Sequence, residues 1–407
     1  MAAWTVGAIH RRRMVVTVAA AALLISASAC GDDSKDSTSS TETTSAAATK
    51  KLDSALTQKL DAAIDKAIGE AGIPGAIVGI SGPDGQYVYT TGVSDKSTKE
   101  PMKPDFYHRI GSVTKTFTVT GVLQLVDEGK VGVDDPISKY IDGVPNGENI
   151  TLRQLAEMRS GLASYSASDA FVKDLLTDPK RSFTPKELLD YAFALPNMFA
   201  PGADFFYSNT NLILLGLVIE KISGQMLPDY VKEHITKPLG MDHTIFPTDA
   251  TFPEPHAQGY TVQTLDNKEA IASDWNPSWG WAAGAMISTL EDLQKWAPAL
   301  GTGKLLKPET QTDRLKVVAL PGKPAGDGYG MGIFNIGGWV GHNGSLPGYQ
   351  TVCVYLPEKQ TSLIIEINTD EDYQGHEPSS IVATAVTEIL SPDHVYTLGT
   401  PTTDPPK

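Results

Sequence analysis

Three short stretches of the sequence carry side chains that can make and break acyl bonds. The first is Ser112-Val113-Thr114-Lys115, where the sequence turns helical after Gly111. Residues three apart share one helix face, so an amine at Lys115 reaches a hydroxyl at Ser112. A serine hydroxyl becomes a useful nucleophile only when a base takes its proton. A lysine can be that base if burial or neighbouring cations lower its pKa. At a first helical turn, free N–H groups and the helix dipole also favour developing negative charge. The plainer alternative is a capping serine beside a solvated lysine.

The second stretch is Tyr207-Ser208-Asn209, just before a strongly apolar run. A phenol beside a cationic lysine is expected to lose its proton more readily than in water, and so to shuttle protons to a leaving group. The Asn209 amide can hold a carbonyl. The alternative is a turn followed by an asparagine helix cap. The third stretch is His342-Asn343-Gly344-Ser345, between two β-like runs. There a strand edge can offer N–H groups to an oxyanion, and Gly344 lets another chain approach closely. The alternative is an ordinary Asn-Gly hairpin turn.

The elements around these stretches are partly legible. Leu52, Leu56, Leu60, Ile64 and Ile68 recur every four residues and predict an amphipathic helix stopped at Gly72. Ala76–Ile80 and Tyr87–Thr91 flank Gly82-Pro83-Asp84-Gly85 and predict a hairpin. A long helix is expected from about Ser112 to Glu128, another from Thr151 through Arg159, and a core helix over Asn211–Ile222. Thr289-Leu290-Glu291-Asp292 has the form of a capping box opening a helix through Leu300. From Tyr329 the pattern turns β-like (Met331–Ile336, Trp339-Val340, Gln350–Leu356, Ser362–Asn368), and a last helix fits Ser379–Leu390. The order implies an α+β fold: an antiparallel β-sheet flanked by N- and C-terminal helices, with an inserted all-helical subdomain.

Composition narrows the class. The 407 residues hold 33 Lys and Arg against 48 Asp and Glu, a net charge of −15. That balance argues against a nucleic-acid partner, which needs clustered basic residues. With 41% apolar residues the chain is not of disordered type, and 2 cysteines make no disulfide scaffold. Cys353, inside the apolar run TVCVYL, reads as a plain buried thiol. No His-Glu-x-x-His or paired Cys/His cluster calls for a metal, and no cofactor is expected. Gly-x-Ser-x-Gly does not occur, which disfavours an α/β-hydrolase.

The ends look like export and tether. His10–Arg13 is basic, Met14–Ile25 is apolar, and small residues precede Cys30. Residues 1–29 therefore read as a signal peptide. Cys30 resembles the lipidated cysteine of a bacterial lipoprotein box, although Ala27 stands where leucine is usual; cleavage without lipidation is the alternative. Residues 30–51 read as a flexible linker, 52–395 as the folded domain and 396–407 as a disordered tail. The expected location is the outer face of the cell membrane through a lipid anchor, or secretion if Cys30 stays bare. The oligomeric state is not legible.

Taken in order, Ser-x-x-Lys, Tyr-Ser-Asn and His-x-Gly resemble the serine hydrolases of the β-lactamase and penicillin-binding superfamily. The similar subgroup holds class C β-lactamases, D-alanyl-D-alanine carboxypeptidases and related esterases. Leu123–Pro136, Leu152–Leu162, Pro201–Gly216, Pro238–Met241, Trp281–Leu293 and Gly341–Tyr349 also look like family segments, so the likeness spans about residues 60–390. The resemblance implies a β-lactamase/transpeptidase-like fold and an acyl or peptide-like substrate. It makes Ser112 the acyl-accepting nucleophile and gives Lys115 and Tyr207 the general base and acid work. Asn209 would orient the acyl amide, and His342 and Gly344 would form the strand-side wall. The N–H groups of Ser112 and Ser345 would form the oxyanion hole, with Trp281 and its neighbours Trp275 and Trp279 bordering the site. Water would then release the acyl group. The readings beside an ester or amide hydrolase are a carboxypeptidase, a β-lactamase, or a cell-wall receptor without turnover. One departure bears on substrate. Phe334 stands where carboxypeptidases carry an arginine, and Asn343 replaces a threonine. An unpaired carboxylate in a dry pocket is costly, so weak D-Ala-D-Ala carboxypeptidase activity is expected.

Overall fold

Asp53 accepts hydrogen bonds from the Ala55 and Leu56 amides and so starts the first helix, Ser54–Ala71. Its stripe of Leu60, Ile64, Ala67 and Ile68 is buried, and Gly72 ends it in the left-handed conformation. In the computed structural model, which describes residues 50–320 and 322–398, this helix packs beside the last one, Pro378–Leu390. The segment read as a signal peptide, Cys30 and residues 399–407 lie outside the described residues.

The sheet has eight antiparallel strands. Their spatial order is Gly85–Gly92, Gly75–Gly82, Thr361–Ile367, Tyr349–Leu356, Trp339–Leu346, Phe334–Ile336, Gly328–Tyr329 and Val318–Ala319. The hairpin at Pro83-Asp84 forms as expected, with Ile77 opposite Thr90. Thr361–Ile367 and Tyr349–Leu356 are buried at every position, because helices cover both faces. That is why these strands read as apolar runs without alternation. Each buried Leu or Ile there contributes about 1.5–3 kcal/mol. The helix Leu290–Thr302 covers one face, and Gly79 lets its Leu290 lie against the sheet.

Between Gly92 and Ile287 the chain builds the helical part, centred on Thr114–Asp127 and Asn209–Ser223. Both are buried over most of their circumference because both are core helices. Phe117 stacks on Trp296 at 4.0 Å, and Trp296 Nε1 donates to Thr116 at 2.9 Å. Buried threonines are satisfied by carbonyls, Thr118 donating to Ala282 at 2.7 Å. The buried Arg314 ties this helix to the sheet side, through Thr120 at 2.9 Å and the Met331 carbonyl at 3.2 Å.

Several expected boundaries move. The Thr151 helix has a full capping box but stops at Ala156, before Met158 takes φ +59°. Met331–Ile333 is not strand; only Phe334–Ile336 pairs. Tyr396 and Leu398, expected in the tail, are buried in the core, and the Tyr396 amide donates to Thr387 at 2.9 Å. At the other end the Gln86 amide donates to the Lys50 carbonyl at 2.8 Å, so order begins before residue 52.

Candidate active site

The nucleophile turn is set by backbone contact. Gly111 has φ +51°, and Gly111–Val113 forms a tight 3-10 turn leading into Thr114–Asp127. Ser112 therefore lies in that turn rather than in regular α-helix. A Cβ on Gly111 would meet the Ser345 nitrogen at 2.9 Å. One on Gly344 would meet the Ile110 carbonyl oxygen at 2.1 Å and the Ser112 nitrogen at 2.9 Å. Glycine at both positions brings the turn against the strand Trp339–Leu346, with the Ser112 and Ser345 amides side by side. His342-Asn343-Gly344 thus lies within a strand, paired with Thr351–Cys353, and is not a hairpin turn; the turn is Pro347-Gly348.

Lys115 Nζ lies 2.8 Å from Ser112 Oγ and donates to the Ala283 carbonyl at 2.7 Å. The side chain is wholly buried, with no carboxylate in ion-pair range among the described residues. Burial pushes its pKa well below the ordinary lysine value. Tyr207 lies close enough to the same Ser112 hydroxyl to interact with it, and its ring lies 4.9 Å from Lys115 Nζ. Its pKa does not fall as expected. Burial raises it, outweighing the Ser112 bond, so the resting site pairs a lowered amine with a protonated phenol. The physical reason is desolvation: a phenolate at this buried position would lose the water that stabilises its charge.

His342 is buried and touches the rings of Tyr207, Tyr329 and Phe334. Burial first, then the nearby Lys115, lowers its pKa to about 3, so it is neutral at pH 7. The Tyr329 hydroxyl, whose own pKa burial raises, donates to Nε2 at 3.1 Å. Nδ1–H donates to the Asn343 carbonyl. Both ring nitrogens are therefore used, and the imidazole offers no charge to a substrate. Phe334 is buried and stacks parallel to Tyr207 at 6.4 Å.

Asn209 opens the helix Asn209–Ser223. Its amide Nδ2 donates to Ser166 at 3.1 Å and its backbone N–H to Ser164 at 3.1 Å. A serine shelf thus fixes it beside Tyr207. Trp281 behaves differently from expectation: its ring packs where a Gly216 Cβ would come within 2.9 Å, on the core side. The narrow cleft next to the nucleophile turn is lined instead by Trp275, Trp279, Leu346, Gly284 and Arg109. Tyr165 is buried and donates to the Trp279 carbonyl at 2.6 Å. Arg109, missed in the sequence, donates to the Ser273 and Trp275 carbonyls at 3.0 and 3.2 Å and fixes the tryptophan loop. Nothing in a lone arginine three residues before Ser112 signals that task. Arg159 donates to the Gly202 carbonyl. Among the described residues no cluster of three His, Cys, Asp or Glu is placed to hold a metal.

The sequence model of the β-lactamase family matches residues 60–385. The chain belongs to that family. Its relatives include penicillin-binding proteins and amidases of the serine hydrolase superfamily. A D-stereospecific amidohydrolase from Streptomyces sp. is 33% identical, with 77% of this chain and 94% of that one covered at a TM-score of 0.71. The D-amino acid amidase of Ochrobactrum anthropi SV3, complexed with D-phenylalanine, is 27% identical over 83% and 99% of the two chains, at a TM-score of 0.74. Protein flp of Staphylococcus aureus (strain MW2) is 27% identical over 336 residues, 79% of this chain. The chain spans 65% of that relative's length.

Proposed function

We propose that this member of the family hydrolyses an ester or amide through an acyl group on Ser112. The observation that carries this reading is the shared hydroxyl: a buried, pKa-lowered Lys115 amine at 2.8 Å and the Tyr207 phenol both meet Ser112. Lys115 takes the Ser112 proton as Oγ attacks the carbonyl carbon. The oxyanion forms beside the Ser112 and Ser345 amides. Tyr207 gives its proton to the leaving nitrogen or oxygen, the bond to carbon breaks, and the Lys115 proton replaces the one lost. Water repeats the steps in reverse and frees the acid. Asn209 orients the acyl part of the substrate.

The substrate we favour is an amide or ester of a D-amino acid. One neighbour is a D-amino acid amidase and another a D-stereospecific amidohydrolase, and the cleft offers tryptophan walls beside a neutral His342. The neutral His342 weighs against a carboxypeptidase or β-lactamase, whose substrates bring a carboxylate, and Arg109, the cation that lines the cleft, is held by the Ser273 and Trp275 carbonyls. The test is intact mass after a fluorophosphonate, beside a panel of D-phenylalaninamide, p-nitrophenyl esters, nitrocefin and a D-Ala-D-Ala pentapeptide, with Ser112→Ala as control. A Ser112 adduct with amide or ester turnover is expected. Rapid nitrocefin or D-Ala release would overturn the substrate assignment, and an adduct without any turnover would favour a receptor. We further propose export and lipidation at Cys30, on the strength of the leader sequence. Cys30→Ala should release the protein from the membrane fraction; unchanged retention would refute lipidation.

A further inference from the structure

On the far side of His342-Asn343-Gly344 lies a charge that the reaction above does not use. Along the third-motif strand, Phe334–Ile336 reaches only Trp339–Gly341. From His342 onward the third-motif strand is paired on one side only, towards Tyr349–Leu356, and its other edge is where an extended substrate would lie. Side chains alternate along it. Gly344 meets the nucleophile turn and His342 meets Tyr207, whereas Asn343 points to the opposite face. There Asn343 Nδ2 donates to Glu377 Oε2 at 2.6 Å. Glu377 immediately precedes the last helix and is nearly buried, with no Lys or Arg in ion-pair range among the described residues. Its charge is felt by Tyr207, the proposed donor to the leaving group.

We propose that Glu377, held by Asn343, is a specificity-determining residue that rejects leaving groups bearing a carboxylate. The proposal deepens the hydrolase reading and rests on it. A second anion at this edge would lie across the strand from a buried carboxylate that no Lys or Arg pairs among the described residues, and like charges so placed repel. Uncharged leaving groups, ammonia or an alcohol, meet no such barrier. The groups facing Glu377 are Asn343 and Tyr207, Asp372 on the preceding loop with His376 beside it, and Tyr396 of the C-terminal segment. Burial chiefly, with Asp372 adding to it and the Asn343 bond opposing, lifts the Glu377 carboxyl to about 7. It is therefore mostly ionised at pH 8.5 and mostly neutral at pH 5.5, and rejection weakens as pH falls.

The test compares D-phenylalanine 4-nitroanilide with its 3-carboxy-4-nitroanilide, which share one acyl group and one α-amine. Their kcat/KM ratio cancels the protonation of Lys115. The wild-type preference for the uncharged anilide should be on the order of tenfold or more at pH 8.5 and shrink several-fold at pH 5.5. Glu377→Gln should remove most of the preference at both pH values. A wild-type ratio that does not change with pH overturns the proposal without any variant. So does a folded Glu377→Gln enzyme that keeps the wild-type ratio. Failure to hydrolyse either anilide, with no adduct on Ser112, overturns the hydrolase reading itself.

Discussion

Gly344→Ala is the sharpest perturbation of the arrangement around Ser112. The added methyl would sit 2.1 Å from the Ile110 carbonyl oxygen and 2.9 Å from the Ser112 nitrogen. Both obstacles are backbone, so no rotamer relieves them. An ordinary C···O contact needs about 3.3 Å, so strand and nucleophile turn must part by about 1 Å. That movement pulls the Ser345 amide away from the Ser112 amide and moves Ser112 itself. Misplacement by about 1 Å costs on the order of 10²-fold, and loss of one oxyanion donor costs about 10²–10³-fold. The expected fall in kcat/KM is therefore on the order of 10²–10³, with about 1–3 kcal/mol of stability lost to overpacking. Turnover of a p-nitrophenyl ester and a thermal melt measure the two effects. Gly69→Ala, in a helix with nothing within 4 Å of the new methyl, is the control and should leave activity unchanged. A Gly344→Ala protein that keeps activity within about threefold would refute the paired-amide arrangement.

Lys115→Met should lower the acylation rate by about 10²–10⁴-fold, the usual contribution of a positioned base, while the protein still melts cooperatively. Undiminished fluorophosphonate labelling would remove Lys115 from the reaction. Because burial holds the Lys115 pKa well below the ordinary lysine value, the basic limb of the labelling profile should be complete well before pH 10; a limb at pH 10 or above would show an ordinary, solvated amine. Glu366 is a different case: it is buried within the sheet, neither oxygen has a partner among the described residues, and burial raises its pKa well above the ordinary carboxyl value. A group with a raised folded pKa stabilises most below its unfolded value near 4.5 and loses that contribution as pH rises. Glu366→Gln should therefore raise the melting temperature more at pH 8 than at pH 4.5, and equal shifts at both would contradict the assignment.

Much of the fold was legible because its signals are local. The four-residue repeat from Leu52 to Ile68, the turn at Pro83-Asp84 and the cap at Thr289 each specify an element through neighbours in sequence. Boundaries failed where a distant partner decides them. Met158 turns off its helix, and its carbonyl accepts from the Phe206 amide. Tyr396 reads as part of a tail until the groove beside the last helix exists to receive it. Trp281 and its two neighbours look alike in sequence. Only the position of Gly216 turns one ring into the core and leaves Trp275 and Trp279 to line the cleft.

The sequence by itself determined which side chains could do the chemistry: a hydroxyl and an amine three residues apart, a phenol before an apolar helix, and a glycine in a strand. Spacing along one element is enough for that, since bond geometry fixes what neighbours can reach. Tertiary structure alone decided their ionisation. The sequence suggested a phenol eased towards its anion by a charged lysine, but burial lowers the amine, raises the phenol and leaves His342 neutral. Desolvation depends on what the rest of the chain folds over a group. Likewise, only folding reveals that Glu377 stands behind Asn343, 34 residues away in sequence.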